Sequence, residues 1–267
     1  MKKIRVMVAG AGGKMGQEVV RALLREEDMA LVGAVDVKHQ GRDVGYIAGN
    51  SPLGIDVLGV LTAESLREVR ADILVDFTNP QSVLKNAETA IAAGVVPVIG
   101  TTGLDEAEIG KIRELVAREK VGAFIAPNFA LGAILMLRFA KEAARFFPHV
   151  EIIELHHDEK LDAPSGTALK VAEWIGEVRA KMAQGNPNEY EKLPGARGAD
   201  IDGIHIHSVR LPGYIAHHQV LFGGSGQALT IRHDAFSRET YMPGVMLAIR
   251  KSYQSTKLTI GLENFLD

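Results

Sequence analysis

The stretch Ile4-Arg5-Val6-Met7-Val8-Ala9-Gly10-Ala11-Gly12-Gly13-Lys14-Met15-Gly16 decides the fold. Ile4 to Val8 is a short apolar run that reads as a β-strand, and a glycine-rich turn follows at once. Met15, Val19, Val20, Leu23 and Leu24 then recur at helical spacing, so the order is strand, glycine turn, helix. A second strand, Leu31 to Val35, ends at Asp36. A carboxylate about 20 residues beyond the last glycine stands where a dinucleotide-binding unit receives the adenosine ribose hydroxyls. The glycines depart from G-x-G-x-x-G: Met15 takes the third glycine position, and Gly10, Gly13 and Gly16 give G-x-x-G-x-x-G instead. The backbone N–H groups of this turn and of the helix start face the place where a pyrophosphate would bind.

Outward from this unit the alternation continues. Ile73 to Phe77 reads as a strand, Pro80 opens a helix to Ala93, Val95 to Ile99 is a strand, Asp105 to Glu119 a helix and Ala123 to Ala126 a strand. This order predicts an α/β fold with a Rossmann-like, doubly wound parallel sheet. Ligands of such sheets lie at the carboxyl ends of the strands, where Phe77-Thr78, Gly100-Thr101-Thr102-Gly103 and Ala126-Pro127-Asn128-Phe129 all fall.

The second half changes style. Leu131 to Phe147 predicts a long amphipathic helix, Val150 to His156 a strand, and Ser165 to about Met182 another helix. Gly185 to Gly203 is rich in Gly, Pro and Asn and predicts the longest loop. Ile204 to Leu211, Tyr214 to Phe222 and Ala228 to His233 are joined by short glycine-containing turns, which predicts an antiparallel meander. The expectation is a second α+β domain with a mixed or antiparallel sheet. Arg238 to Tyr253 predicts a helix and Leu258 to Ile260 a strand returning to the first domain. The domains expected are 1–127 with 238–267 for dinucleotide binding, and 128–237 for substrate binding and oligomerisation.

Glu154-Leu155-His156-His157-Asp158-Glu159-Lys160-Leu161-Asp162-Ala163-Pro164-Ser165-Gly166-Thr167-Ala168 is the richest stretch chemically. Two histidines close a strand, and Pro-Ser-Gly-Thr opens a helix that Ser165 or Thr167 can cap. The free N–H groups of its first turn suit a carboxylate or phosphate, Lys160 adds a cation, and imidazole adds proton transfer near neutral pH. A metal site is disfavoured, because adjacent histidines on a strand point to opposite faces. His205 and His207 share a face without an evident third ligand, and His217-His218 reads likewise as a sheet surface.

The composition fits these readings. In 267 residues, 46% hydrophobic and 24% charged, a formal charge of −3 gives no basic excess for nucleic acid or anionic membrane. The absence of cysteine excludes disulfides and thiol catalysis. Met1-Lys2-Lys3 runs straight into the first strand, with no export signal or membrane-length apolar stretch, so a cytoplasmic protein is expected.

Together, the Gly10 to Gly16 turn, Gly100-Thr101-Thr102-Gly103, Ala126-Pro127-Asn128-Phe129 and the Glu154 to Ala168 stretch resemble the dihydrodipicolinate reductases, also called 4-hydroxy-tetrahydrodipicolinate reductases. The resemblance spans nearly the whole chain. It implies NADH- or NADPH-dependent reduction of a small cyclic dicarboxylate in the diaminopimelate route to lysine, by a cytoplasmic homotetramer that engages neither nucleic acid nor membrane. By position it implies His156 as acid/base residue and Lys160 as second proton donor, with His157, Ser165, Gly166 and Thr167 on the substrate carboxylates. It implies Gly10, Ala11, Gly12, Gly13, Lys14, Met15, Asp36, Gly100, Thr101, Thr102, Ala126, Pro127, Asn128 and Phe129 on the dinucleotide, and no metal. Family members often carry arginine directly after the ribose-binding acid; here Val37 holds that position, and Lys38 is the cation that can meet a 2′-phosphate. The competing expectations are another NAD(P)-dependent small-molecule dehydrogenase, which has no need of the His-His and Pro-Ser-Gly-Thr loop, and a dinucleotide-sensing binding protein, for which no basic recognition helix is seen. Aspartate-semialdehyde dehydrogenase would need a catalytic cysteine.

Overall fold

The computed structural model describes residues 2–266. Met1 and Asp267, the outer limits of the first expected domain, lie outside the described residues. The chain divides into two compact units, Met1–Ala130 with Tyr241–Asp267, and Leu131–Thr240. Both divisions fall three residues beyond those expected.

The first unit runs β1 (Ile4–Ala9), α1 (Lys14–Leu23), β2 (Met29–Val35), α2 (Val44–Ile47), β3 (Val57–Leu58), α3 (Ala63–Glu68), β4 (Ile73–Asp76), α4 (Pro80–Ala92), β5 (Val96–Ile99), α5 (Glu106–Glu119) and β6 (Ala123–Ile125). Its strands pair in parallel in the order β12-β6-β5-β4-β1-β2-β3, with β12 (Leu258–Ile260) contributed by the end of the chain. This is the doubly wound sheet expected from the alternation. Central β1, β4 and β5 are apolar on both faces because helices cover both. Met7, Leu66, Leu74 and Val95 pack in one layer, and Val83, Ile91, Ile99 and Ile112 in another. The short α2, β3 and α3 escaped the sequence reading, since two to six residues show no measurable period.

Helices are placed by their caps. Asn79 accepts from Gln81 N–H ahead of Pro80, and Asp105 with Glu108 forms a capping box. Gly10 has φ +77°, and a β-carbon there would lie 2.3 Å from the Phe77 carbonyl oxygen. A β-carbon at Gly16 would lie 2.0 Å from the Gly10 carbonyl oxygen. The close helix–strand approach that the third glycine of G-x-G-x-x-G ordinarily permits is therefore supplied one residue later.

The second unit holds α6 (Leu131–Ala144), β7 (His149–His156), α7 (Gly166–Gly176), β8 (Ala199–Ile201), β9 (Ile204–Arg210), β10 (Ala216–Gly224) and β11 (Gln227–Ala235). Its sheet runs β11-β10-β7-β9-β8. α6 and α7 cover one face, where Met136, Val171, Ile175, Ile152, Ile206 and Phe222 form the core. The chain then reaches α8 (Met242–Ser252) of the first unit through a short 3₁₀ turn.

Three expectations for this unit need correction. The three last strands are not a meander: β10 and β11 form a hairpin, but β9 pairs in parallel with β7, from Glu151 opposite His205 to His156 opposite Arg210. β7, α7 and β9 make a crossover unit, and Leu211 to Ile215 reverses the chain and carries it past β7, so that β10 pairs antiparallel with β7 on the side away from β9. Helix α7 stops at Gly176, not near Met182. Arg179, buried, takes the chain off the helix: its guanidinium donates to the carbonyls of Pro148, Met182, Asp202 and Gly203. Finally, the loop expected from Gly185 to Gly203 contains β8, antiparallel to β9.

Candidate active site

In the first unit, Gly10, Gly12 and Gly13 open onto a cavity of about 390 Å³ at the carboxyl ends of β1, β2 and β4. Gly13 caps α1 with no side-chain hydrogen bond, so the N–H groups of the first turn remain for an anion. Asp36, just past β2, accepts from Gly12 N–H at 3.0 Å and Lys38 N–H at 2.9 Å, and its Oδ1 lies 2.9 Å from His39 Nδ1. Burial works to raise its pKa, but these hydrogen bonds outweigh it and hold the carboxyl below its usual range. Exposed Val37 and Val60 give the cavity an apolar rim suited to a flat base.

Of the residues expected on the dinucleotide, Gly10, Gly12, Gly13, Asp36 and Lys38 line this cavity, whereas Ala11, Lys14, Met15, Gly100 to Thr102 and Ala126 to Phe129 stand outside it. Thr101 is buried and donates to Asp76 Oδ1 at 2.7 Å, while accepting from Thr78 N–H at 2.8 Å. Its hydroxyl thus joins the ends of β4 and β5. Ala126 and Phe129 are also buried, and the Phe129 ring contacts Phe77 and Phe124. The sequence reading missed His39, Asn79, Ser82, Lys85 and Asn86, which line the cavity from the β2 end and α4. His39 carries no motif; its position three residues beyond Asp36 was the available signal.

In the second unit, the expected loop begins where β7 ends, with His156 buried and His157 exposed. Glu154, fully buried two residues earlier, holds His156 Nδ1 at 2.5 Å through Oε2. Arg210 of β9 grips the same carboxylate with both terminal nitrogens, at 2.7 and 2.8 Å. Burial raises the Glu154 pKa, yet hydrogen bonds from Arg210, Ser208 and His156 prevail and set it at about 2. His156 is pulled below its ordinary value, first by burial and then by Lys160 and Arg210, with Glu154 opposing.

Ser165 caps α7, accepting from Ala168 N–H at 3.2 Å, and its hydroxyl lies 2.9 Å from His218 Nε2. Burial, assisted by His156, pushes His218 down to about 3, so this ring is neutral. Lys160 pairs with Asp162 at 2.6 Å, Gly166 is exposed and Thr167 half-buried. Glu154 opened the stretch read from the sequence without a role, and Arg210 was not singled out. His217 and His218, expected on a sheet surface, are both buried, because the register of β9 and β10 against β7 brings Arg210 and His218 to the Glu154 end of the strand. Of the other histidines, His207 pairs with Glu151 at 2.8 Å and His217 with Asp234 at 2.7 Å. Among the described residues no cluster of three or more His, Cys, Asp or Glu could hold a metal.

A glycine turn on a parallel doubly wound sheet, an acid closing the second strand and a separate α+β unit with a histidine–carboxylate cluster define a nicotinamide-dependent oxidoreductase. Two family models divide the chain: "Dihydrodipicolinate reductase, N-terminus" matches residues 4–129 and "Dihydrodipicolinate reductase, C-terminus" residues 132–266. The chain belongs to the dihydrodipicolinate reductase family. It is 72% identical to a 4-hydroxy-tetrahydrodipicolinate reductase of Desulfitobacterium hafniense, with 100% of both chains covered. It is 52% identical to the enzyme of the same name from Syntrophomonas wolfei, with 99% of each covered. The dipicolinate-bound dihydrodipicolinate reductase of Paenisporosarcina sp. TG-14 superposes with a TM-score of 0.88 at 48% identity, covering 99% of this chain and 100% of that one.

Proposed function

We propose that this chain reduces 4-hydroxy-tetrahydrodipicolinate to tetrahydrodipicolinate with NADH or NADPH, in the diaminopimelate route to lysine. The observation that carries this reading is the burial of His156 at the end of β7, four residues before Lys160 and beside a capped helix start. Elimination of the 4-hydroxyl as water gives the conjugated ring, and a dinucleotide, when bound, would supply the hydride that reduces it. The electron-rich nitrogen system left behind takes up a proton, which His156 donates, with Lys160 as second proton source. His157, Ser165, Gly166 and Thr167 receive the two carboxylates, combining the N–H groups of the α7 start with nearby cationic charge.

On the cofactor side, the N–H groups from Gly10 to Met15 take the pyrophosphate and Asp36 the ribose. Lys38 reads a 2′-phosphate. Gly100 to Thr102 and Ala126 to Phe129 shape the floor beside the nicotinamide. The uncovered face of the second sheet, with Ile153, Leu155 and Leu221 only half-buried, supports association into a homotetramer. Among the described residues no helix is long and apolar enough to cross a membrane, and a cytoplasmic location fits the reductant.

Turnover of NADH and of NADPH with freshly generated 4-hydroxy-tetrahydrodipicolinate tests the reading. Oxidation of neither cofactor, by a folded protein that binds them, would refute it.

A further inference from the structure

We propose that Glu154 is a positioning residue that dictates which nitrogen of His156 meets the substrate. The inference rests on the reading of His156 as the acid/base group. Glu154 has no exposed atoms, and both its oxygens are engaged. Oε2 takes His156 Nδ1 at 2.5 Å and Arg210 Nη1 at 2.8 Å; Oε1 takes Arg210 Nη2 at 2.7 Å and Ser165 N–H at 3.2 Å. The two-pronged contact with Arg210 fixes the plane of the carboxylate. Arg210 Nη2 also donates to the Asp162 carbonyl at 2.8 Å, so the same ion pair tethers the Lys160 loop. One buried carboxylate therefore orders the imidazole, the α7 start and the loop between them.

An ionised carboxylate accepts hydrogen bonds and cannot donate them. Nδ1 of His156 consequently keeps its hydrogen whether the ring is neutral or charged. The transferable proton sits on Nε2, and after transfer the neutral ring retains Nδ1–H on Glu154. The charged or titratable groups facing His156 are Glu154 on β7, Lys160 in the loop (itself paired with Asp162), Arg210 on β9 and His218 on β10, whose ring stands edge-on 5.3 Å away. Among the described residues Glu154 is the one anion in direct contact with the ring, so it opposes the lowering that burial and the cations impose on the imidazole without overcoming it.

Nitrogen-15 NMR of the histidine-labelled full chain, with His156 assigned by its loss in His156→Gln, reads the tautomer without any substrate. The expected result is neutral His156 protonated at Nδ1; an Nε2–H tautomer overturns the proposal. In Glu154→Gln, kcat falls about tenfold or more, and the basic limb of the kcat/KM profile moves about one pH unit lower, with dinucleotide affinity unchanged. A limb that stays in place overturns the proposal even if kcat falls. Should this variant fail to fold, the wild-type tautomer still decides. A correct tautomer in a protein that never turns over substrate would refute the activity and not the contact.

Discussion

At the level of single side chains, the second unit gathers its buried polar groups around one strand end, and each has a distinct consequence. His156→Gln is expected to keep the fold and dinucleotide binding but lower kcat about 10²–10⁴-fold, because the role proposed for the imidazole is proton transfer more than affinity. Steady-state kinetics beside a dinucleotide titration check this, and an unchanged kcat removes His156 from the chemistry. Lys160→Ala is expected to damage both kcat and KM, since its ammonium is proposed to act on a dianion as well as on the proton inventory; a wild-type KM would confine it to proton transfer. His218 gives a pH effect of definite sign. Its pKa is 6.5 in the unfolded reference and about 3 in the folded chain, so the folded form resists protonation. Stability is full above pH 6.5 and declines as the pH falls toward 3, and Glu154 adds a loss of the same sign between 4.5 and about 2. Thermal melts from pH 7 to 5 should fall less steeply for His218→Asn than for the wild type; parallel slopes would contradict this. The sequence displayed His156 and Lys160 because they share one stretch. It hid Glu154's role, Arg210 and His218, whose meeting is a product of strand pairing.

At the level of elements, the termini of α1 and α7, to which the two anion-binding functions are proposed to belong, are built differently. α7 has a side-chain cap: Ser165→Ala removes it and leaves a buried His218 nitrogen without its partner. A loss of about 1–2 kcal/mol is expected in urea denaturation. α1 has none, which leaves its first N–H groups for a phosphate, and its approach to β1 depends on Gly16. Gly16→Ala would drive a methyl into the Gly10 carbonyl, costing about 3 kcal/mol and abolishing dinucleotide binding. Wild-type affinity in that variant would show that the turn can yield. Both termini were legible in sequence, since caps and glycine turns are local. The end of α7 was not, because it is set by Arg179 reaching carbonyls of distant segments.

At the level of the whole molecule, cofactor choice is a balance of opposed charges. Asp36 suits ribose hydroxyls and repels a 2′-phosphate, while Lys38 can neutralise that phosphate. NADH and NADPH should therefore differ by less than about a hundredfold in kcat/KM, under roughly 2.7 kcal/mol. Lys38→Ala should weaken NADPH alone; equal losses for both cofactors would show that Lys38 does not read the phosphate. The sequence by itself determined the parallel sheet of the first unit, the glycine turn with Asp36, and the loop from His156 to Thr167. Each rests on periodicity or on contacts within a few residues, which composition and spacing encode directly. Only the tertiary structure decided that β9 lies parallel beside β7, that the Thr101 hydroxyl locks onto Asp76, and that Glu154 holds His156. Those contacts join residues far apart in the chain or depend on which neighbour a strand selects, and burial of a charged group becomes tolerable only once its partner has arrived.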